Sequence, residues 1–114
     1  MADELKTEPT LNKPRVASGQ SSRDWKAYTA QCVFLDVDTT AAGFTKTPVY
    51  VTSIGGDEEQ WLAAGVQAIY PIPPAKTPSA AGFRVYVRRR DGALLSPEEA
   101  QKKGWHIDWI GVEP

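Results

Sequence analysis

The chain has 114 residues and a mass of 12.5 kDa, which leaves room for one domain around one modest core. Its 13 Lys and Arg are balanced by 14 Asp and Glu for a formal charge of −1, which removes any bulk electrostatic case for binding nucleic acid or an anionic membrane. Cys32 is the single cysteine, so no internal disulfide can form and packing must hold the fold.

The start, MADELKTEPT, carries acids and no apolar stretch, so it does not read as a secretory signal peptide. The expectation is a soluble protein, cytoplasmic as made, that would act outside the cell only by an unseen route. Apolar runs are a few residues long, far short of the roughly 20 that cross a bilayer, so no membrane insertion is expected. Residues 1–22 contain no aromatic residue and are dense in Lys, Glu, Thr, Ser and Pro. They read as a disordered polar tail. Every Trp, Tyr and Phe lies from Trp25 to Trp109, which sets a single domain at 23–114.

Within that domain, short runs of β-branched and aromatic residues alternate with Gly, Pro, Asp and Ser. In chain order the expected strands are YTAQCVFLDV (28–37), PVYVTSI (48–54), QAIYPI (67–72), FRVYVRRR (83–90) and HIDWIGV (106–112). So many short strands in one small domain indicate an all-β sandwich or barrel. The segments TTAAGFTKT and PIPPAKTPSAAG read as loops, because proline cannot donate to a sheet ladder. A short helix is expected at LSPEEAQKKG, with Ser96 as N-cap, Pro97 at the first turn, Glu99 three residues after the cap and Gly104 as stop. GGDEEQWLAAG, 55–65, carries a weaker version of the pattern, with Asp57 as cap and Gly65 as stop.

Several stretches carry candidate chemistry. In GWHIDWIGVEP a strand puts Trp105, Ile107, Trp109 and Gly111 on one face, expected to be core, and His106, Asp108, Ile110 and Val112 on the other. His106 and Asp108 sit at a spacing that lets a carboxylate orient an imidazole, although a polar strand face or subunit interface shows the same pair. His106 is the only histidine and no Gly-x-Ser-x-Gly elbow is present, so the chain is not expected to be an enzyme. One His and one Cys fall short of a zinc set, and DVDTTAAG (36–43) has Ala41 where a calcium loop places its glycine and lacks the later acids. No metal or other cofactor is expected. Cys32, inside CVFLDV, reads as a buried small hydrophobe.

RRRDG (88–92) is the strongest local charge, and DG reads as a turn. Phe83, Val85 and Val87 project to one face of that strand and Arg84, Tyr86, Arg88 and Arg90 to the other. The arginines suit ion pairs with Asp57, Glu58 or Glu59, or bidentate hold on an acidic ligand, or the rim of a subunit contact.

The order SGQSSRDW, FTKTPVYVTSIGGD, AAGFRVYVR and WHIDWIGVE, covering roughly residues 18–113, resembles the H-type lectin domain. Its members run through an early F…PP.V strand, a GF that opens a later strand, and a final strand with W-I. The resemblance implies a small antiparallel β-sandwich of about six strands, here with one or two short helical insertions. It also implies a homotrimer that holds N-acetylgalactosamine or galactose between subunits. In the snail member the sugar is held by an early acid, a middle-strand arginine and a Trp-His pair. Asp24 in SRDW matches the acid, the arginine falls near Gly65 or Val66, and the Trp-His pair falls near Arg90 and Asp91. Most of the family's site is thus replaced, and Arg88 and Arg90 suit an acidic or sulfated glycan.

The functional expectation is a lectin-like carbohydrate-binding module that reads glycans at subunit junctions with Asp24, Tyr86, Arg88, Arg90 and Asp91. The alternative is a structural assembly domain, of the phage-fibre or surface-appendage type, with no small ligand.

Overall fold

Inward and outward positions alternate along each long strand, and that pleat builds two sheets whose apolar faces meet. The computed structural model describes residues 14–114. Its elements are β1 (Arg15–Ser21), β2 (Lys26–Thr29), β3 (Cys32–Asp38), β4 (Val49–Gly55), β5 (Ala63–Ala64), β6 (Gly82–Arg89), α1 (Pro97–Lys102) and β7 (His106–Glu113). One sheet has the order β1-β7-β4 and the other β2-β3-β6-β5, and all the pairings are antiparallel. The fold is a small all-β sandwich with one α-helix.

Val33, Leu35 and Val37 of β3 and Phe83, Val85 and Val87 of β6 are buried, and they face Tyr50 of β4 and Ile107 of β7. The seam between the sheets is aromatic. The Tyr50 ring lies 4.4 Å from that of Phe83, and Trp109 stands edge-on to both at 6.2 and 6.5 Å. Such tilted pairs add about 0.5–1.5 kcal/mol each to the burial they accompany. Trp105 closes one end of the core. It is fully buried, its indole donates to the Glu58 carbonyl at 2.7 Å, and its own carbonyl accepts from Trp25 Nε1 at 3.1 Å. Toward the other end the Tyr50 hydroxyl meets buried Thr39 Oγ1 at 2.8 Å and donates to the Ser79 carbonyl at 2.6 Å, tying the proline-rich loop to the core.

The helix forms where its caps require it. Ser96 Oγ accepts from the Glu99 amide at 3.1 Å, Pro97 opens the first turn, and Gly104 follows at a positive φ of 67°. The strands expected at 48–54, 83–90 and 106–112 appear as β4, β6 and β7 within a residue or two of the expected ends.

Four expectations are corrected. The run 28–37 is two strands, β2 and β3, joined through a turn at Ala30 and Gln31. QAIYPI forms only an isolated bridge between Tyr70 and Arg84, because Pro71, Pro73 and Pro74 remove the donors that would extend it. Residues 55–65 give one 3₁₀ turn at Gln60–Leu62 in place of a helix. Glu59 takes a positive φ of 59°, and the Asp57 and Glu58 amides bond instead to the Lys103 carbonyl. Finally, the boundary at 22 moves. Residues 15–21, expected in the tail, form β1 and pair with β7 from Arg15↔Glu113 to Ser21↔Ile107. The expected tail over 1–13 lies outside the described residues.

β1 escaped notice because its inward positions are small for a packing reason. A Cβ on Gly19 would sit 2.7 Å from Trp109 Nε1, so the bare glycine backbone leaves the space the indole fills. Trp109 is half-buried beneath this edge strand while Trp105 is wholly buried.

These features set a hierarchy of costs. Leu35→Ala opens a cavity at a fully buried site and lowers the unfolding free energy by about 3 kcal/mol. Ser96→Ala removes one cap and lowers it by about 1 kcal/mol. Urea titration of the two variants beside the parent chain checks both values and their order.

Candidate functional site: a tyrosine hollow on the four-stranded sheet

With Phe83, Val85 and Val87 turned inward, β6 turns Arg84, Tyr86 and Arg88 outward. Its neighbour β3 likewise turns Cys32, Phe34 and Asp36 outward, and the register sets Asp36 beside Arg84, Phe34 beside Tyr86, and Cys32 beside Arg88. Arg84 is locked in this frame. Its Nε donates to Asp36 Oδ1 at 2.6 Å, its Nη2 to Asp36 Oδ2 at 3.1 Å, and its guanidinium carbon lies 4.0 Å from the Phe34 ring centroid. The Asp36 carboxylate raises the Arg84 pKa above its ordinary value, so this cation is permanent. Its remaining branch donates to the Tyr86 hydroxyl at 3.2 Å and fixes that phenol.

Two further tyrosines flank Tyr86. Tyr28 comes from β2 with its ring centroid 4.9 Å away, and Tyr70 comes from the bridged loop, also at 4.9 Å but perpendicular. The backbone bonds between Tyr70 and Arg84, 2.9 and 2.8 Å, hold that loop against the strand. Tyr28, Tyr70, Tyr86 and Cys32 line a shallow hollow of about 340 Å³, within the usual range for small-ligand sites. Tyr28 and Tyr70 keep 63% and 43% of their surface exposed, so ring surface is available to a ligand. Arg88 is exposed beside Cys32 at the edge of the hollow.

Of the five ligand residues expected from the sequence, Tyr86 lines this hollow and Arg88 borders it. The other three lie elsewhere. β6 ends at Arg89, so Arg90 leaves the shared face and enters the turn, where its amide bonds to the Leu62 carbonyl at 2.7 Å. Asp91 accepts from Arg89 at 3.1 and 2.8 Å and from the Ala93 amide at 3.0 Å, a set that organises the turn. Arg89 also reaches Glu59 at 3.5 Å, which realises one of the expected ion pairs. Asp24 adopts a positive φ of 64° in the β1–β2 link and borders a different concavity with Trp25, Pro97, Glu98 and Gln101.

Cys32 is half-buried on the outer face, not in the core. Its thiol pKa is raised by desolvation, against which the Arg88 charge acts in the lowering direction, so the group is a neutral thiol at pH 7. Tyr28 and Tyr70 were visible in the sequence as aromatic residues, but not as neighbours of Tyr86. The register shift within the β2–β3 pair and the loop bridge that bring them together leave no local pattern.

His106 and Asp108 lie on the outer face of the other sheet. His106 Nε2 is 3.5 Å from Asp108 Oδ2, the other carboxylate oxygen accepts from Gln20 at 2.9 Å, and His106 Nδ1 contacts the Gly104 carbonyl at 3.2 Å. No hydroxyl or thiol nucleophile bonds to the imidazole among the described residues. Among the same residues no three His, Cys, Asp or Glu side chains converge as metal ligands, and no helix is long and apolar enough to cross a membrane.

Comparisons with protein-family models, curated proteins and solved structures returned no match.

Two titrations check this geometry. Cys32 should react with iodoacetamide along a pH profile whose midpoint lies above the ordinary thiol value of 9.0, and Arg88→Ala should move it higher by removing the lowering charge. Asp91 should titrate at about 2, and Arg89→Met should return it toward 3.8 in a carboxyl-detected NMR titration. Because the folded value is depressed, the Arg89–Asp91 pair supports the fold above about pH 4, and that support is lost as pH falls toward 2.

Proposed function

We propose that the chain is a carbohydrate-binding module, with the tyrosine hollow as its ligand face and a glycan bearing an acidic group as its ligand. The convergence of Tyr28, Tyr70 and Tyr86 beside the exposed Arg88 carries this reading. A pyranose offers an apolar C–H face and a rim of hydroxyls, and tyrosine matches both with its ring and its phenol group. Arg88 supplies a bidentate cation for a carboxylate or sulfate. Arg84 is already engaged with Asp36 and Tyr86, so its part is to position Tyr86. The groups lining the hollow are phenols and a neutral thiol, a set suited to stacking and hydrogen bonding rather than to catalysis. The hollow is built within one chain, so on this reading binding does not wait on a neighbouring subunit. The homotrimer implied by the lectin resemblance is a separate matter of assembly.

The alternative, an assembly domain without a small ligand, draws on a different observation: the branched aliphatic side chains exposed on the outer face of the three-stranded sheet. A broad glycan array together with light scattering on the same material separates the two. We expect binding concentrated among acidic glycans. Tyr28→Ala and Arg88→Ala should each weaken it at least about tenfold, or about 1.4 kcal/mol, with the urea midpoint unchanged. A silent array with a defined oligomer would favour assembly, and hits unaffected by both substitutions would move the ligand site off this face.

A further inference from the structure

The outer face of the three-stranded sheet has an order of its own. β7 runs between β1 and β4, and the register sets their outward side chains in rows. Val16, Val112 and Val49 form one row, Ser18, Ile110 and Val51 the next, and Gln20, Asp108 and Ser53 the third. Val16, Val49, Val51 and Ile110 keep 40% to 60% of their surface exposed. A contiguous aliphatic patch of this kind on a sheet marks a contact surface. The flanking strands lack the usual protection too: β1 and β4 contain no Lys and no Pro, and their one charged residue is Arg15 at the outermost position.

We propose that this face packs against the same face of a second copy of the chain, around a rotation axis that runs along β7. The polarity gradient selects both the occupant and the axis. The face is apolar at the level of Ile110 and Val112 and polar at the level of His106 and Asp108. Rotation about an axis parallel to the strands preserves height, so aliphatic rows meet aliphatic rows. Each Asp108 then comes level with its own counterpart, and each carboxylate keeps the Gln20 amide and the His106 ring of its own chain as neighbours. An axis across the strands would set the valine row on Asp108 and leave a carboxylate against hydrocarbon.

Size predicts the strength. Three strands about 4.8 Å apart and seven residues long at about 3.4 Å per residue give a face of about 350 Å², so a pair covers about 700 Å². That lies below the roughly 1,200 Å² of stable complexes, so the assembly dissociates on dilution. The tyrosine hollow lies on the outer face of the other sheet, so this inference stands apart from the carbohydrate reading and can survive its failure.

The test is sedimentation velocity of the full chain over a wide concentration range. Self-association should appear as concentration rises, Val51→Glu should shift its midpoint at least tenfold, and Tyr28→Ala should leave it in place. Circular dichroism would verify that each variant is folded. In a Cys32→Ser background, Val112→Cys should oxidise to a dimer through its own counterpart. A monomer at all concentrations, or an association indifferent to Val51→Glu, would overturn the proposal. A disulfide that forms between Val112→Cys and Asp108→Cys chains but not between two Val112→Cys chains would overturn the axis.

Discussion

The two-residue period of β6 decides both surfaces of the four-stranded sheet. Phe83, Val85 and Val87 complete the core only in the register that turns Arg84, Tyr86 and Arg88 outward, and a shift of one residue would exchange the sets. The candidate ligand face therefore inherits its rigidity from the core. Arg84 illustrates the economy: one side chain pairs with Asp36, covers Phe34 and holds the Tyr86 hydroxyl, so the middle of the face is ordered before any ligand arrives.

The ends of the sandwich are closed by hydrogen bonds that aromatic side chains make with irregular backbone. Trp105 reaches the Glu58 carbonyl, and Tyr50 reaches Ser79 through the same hydroxyl that contacts Thr39. Each of these carbonyls belongs to a loop: the Trp105 indole gives the Glu58 carbonyl a partner, and the Tyr50 hydroxyl adds to the bond that the Ser79 carbonyl accepts from the Gly82 amide at 3.4 Å. Long loops are thereby held on a small core, including the one that presents Tyr70. The same arrangement accounts for Glu113, whose carboxylate accepts from the Thr45 amide and hydroxyl at 2.7 and 2.8 Å and fixes the loop that follows β3.

Much of this architecture was legible in the residues. Alternation around Val85 and Ile107 located two central strands, and the Ser96, Pro97 and Gly104 signals located the helix, because each of these depends on chemistry within a few positions. What escaped depends on distant partners. β1 offers only the small residues Ala17, Gly19 and Ser21 inward, Trp109 filling the space at Gly19, and no local pattern announces an absent side chain. The candidate site divided along the same line. Tyr86 and Arg88 could be assigned to one face from the alternation of β6, but Tyr28 and Tyr70 join them through pairings across turns and loops. Arg90 was misplaced by one structural fact, the end of β6 at Arg89, which the run of three arginines hides.

The β1–β7 ladder joins Arg15 to Glu113 and so closes nearly the whole described chain into one loop. Contacts of such separation carry the largest closure entropy. β3 and β6 pair over a shorter separation, from Cys32↔Arg88 to Asp38↔Gly82, whereas β1 reaches across nearly the whole chain to lie over the indole of Trp109. Val16 takes its place beside Val112 only through this ladder. The complete aliphatic face is thus a signature of a finished chain, and a partially folded copy, lacking one of its three strands, would offer its siblings an incomplete surface to join.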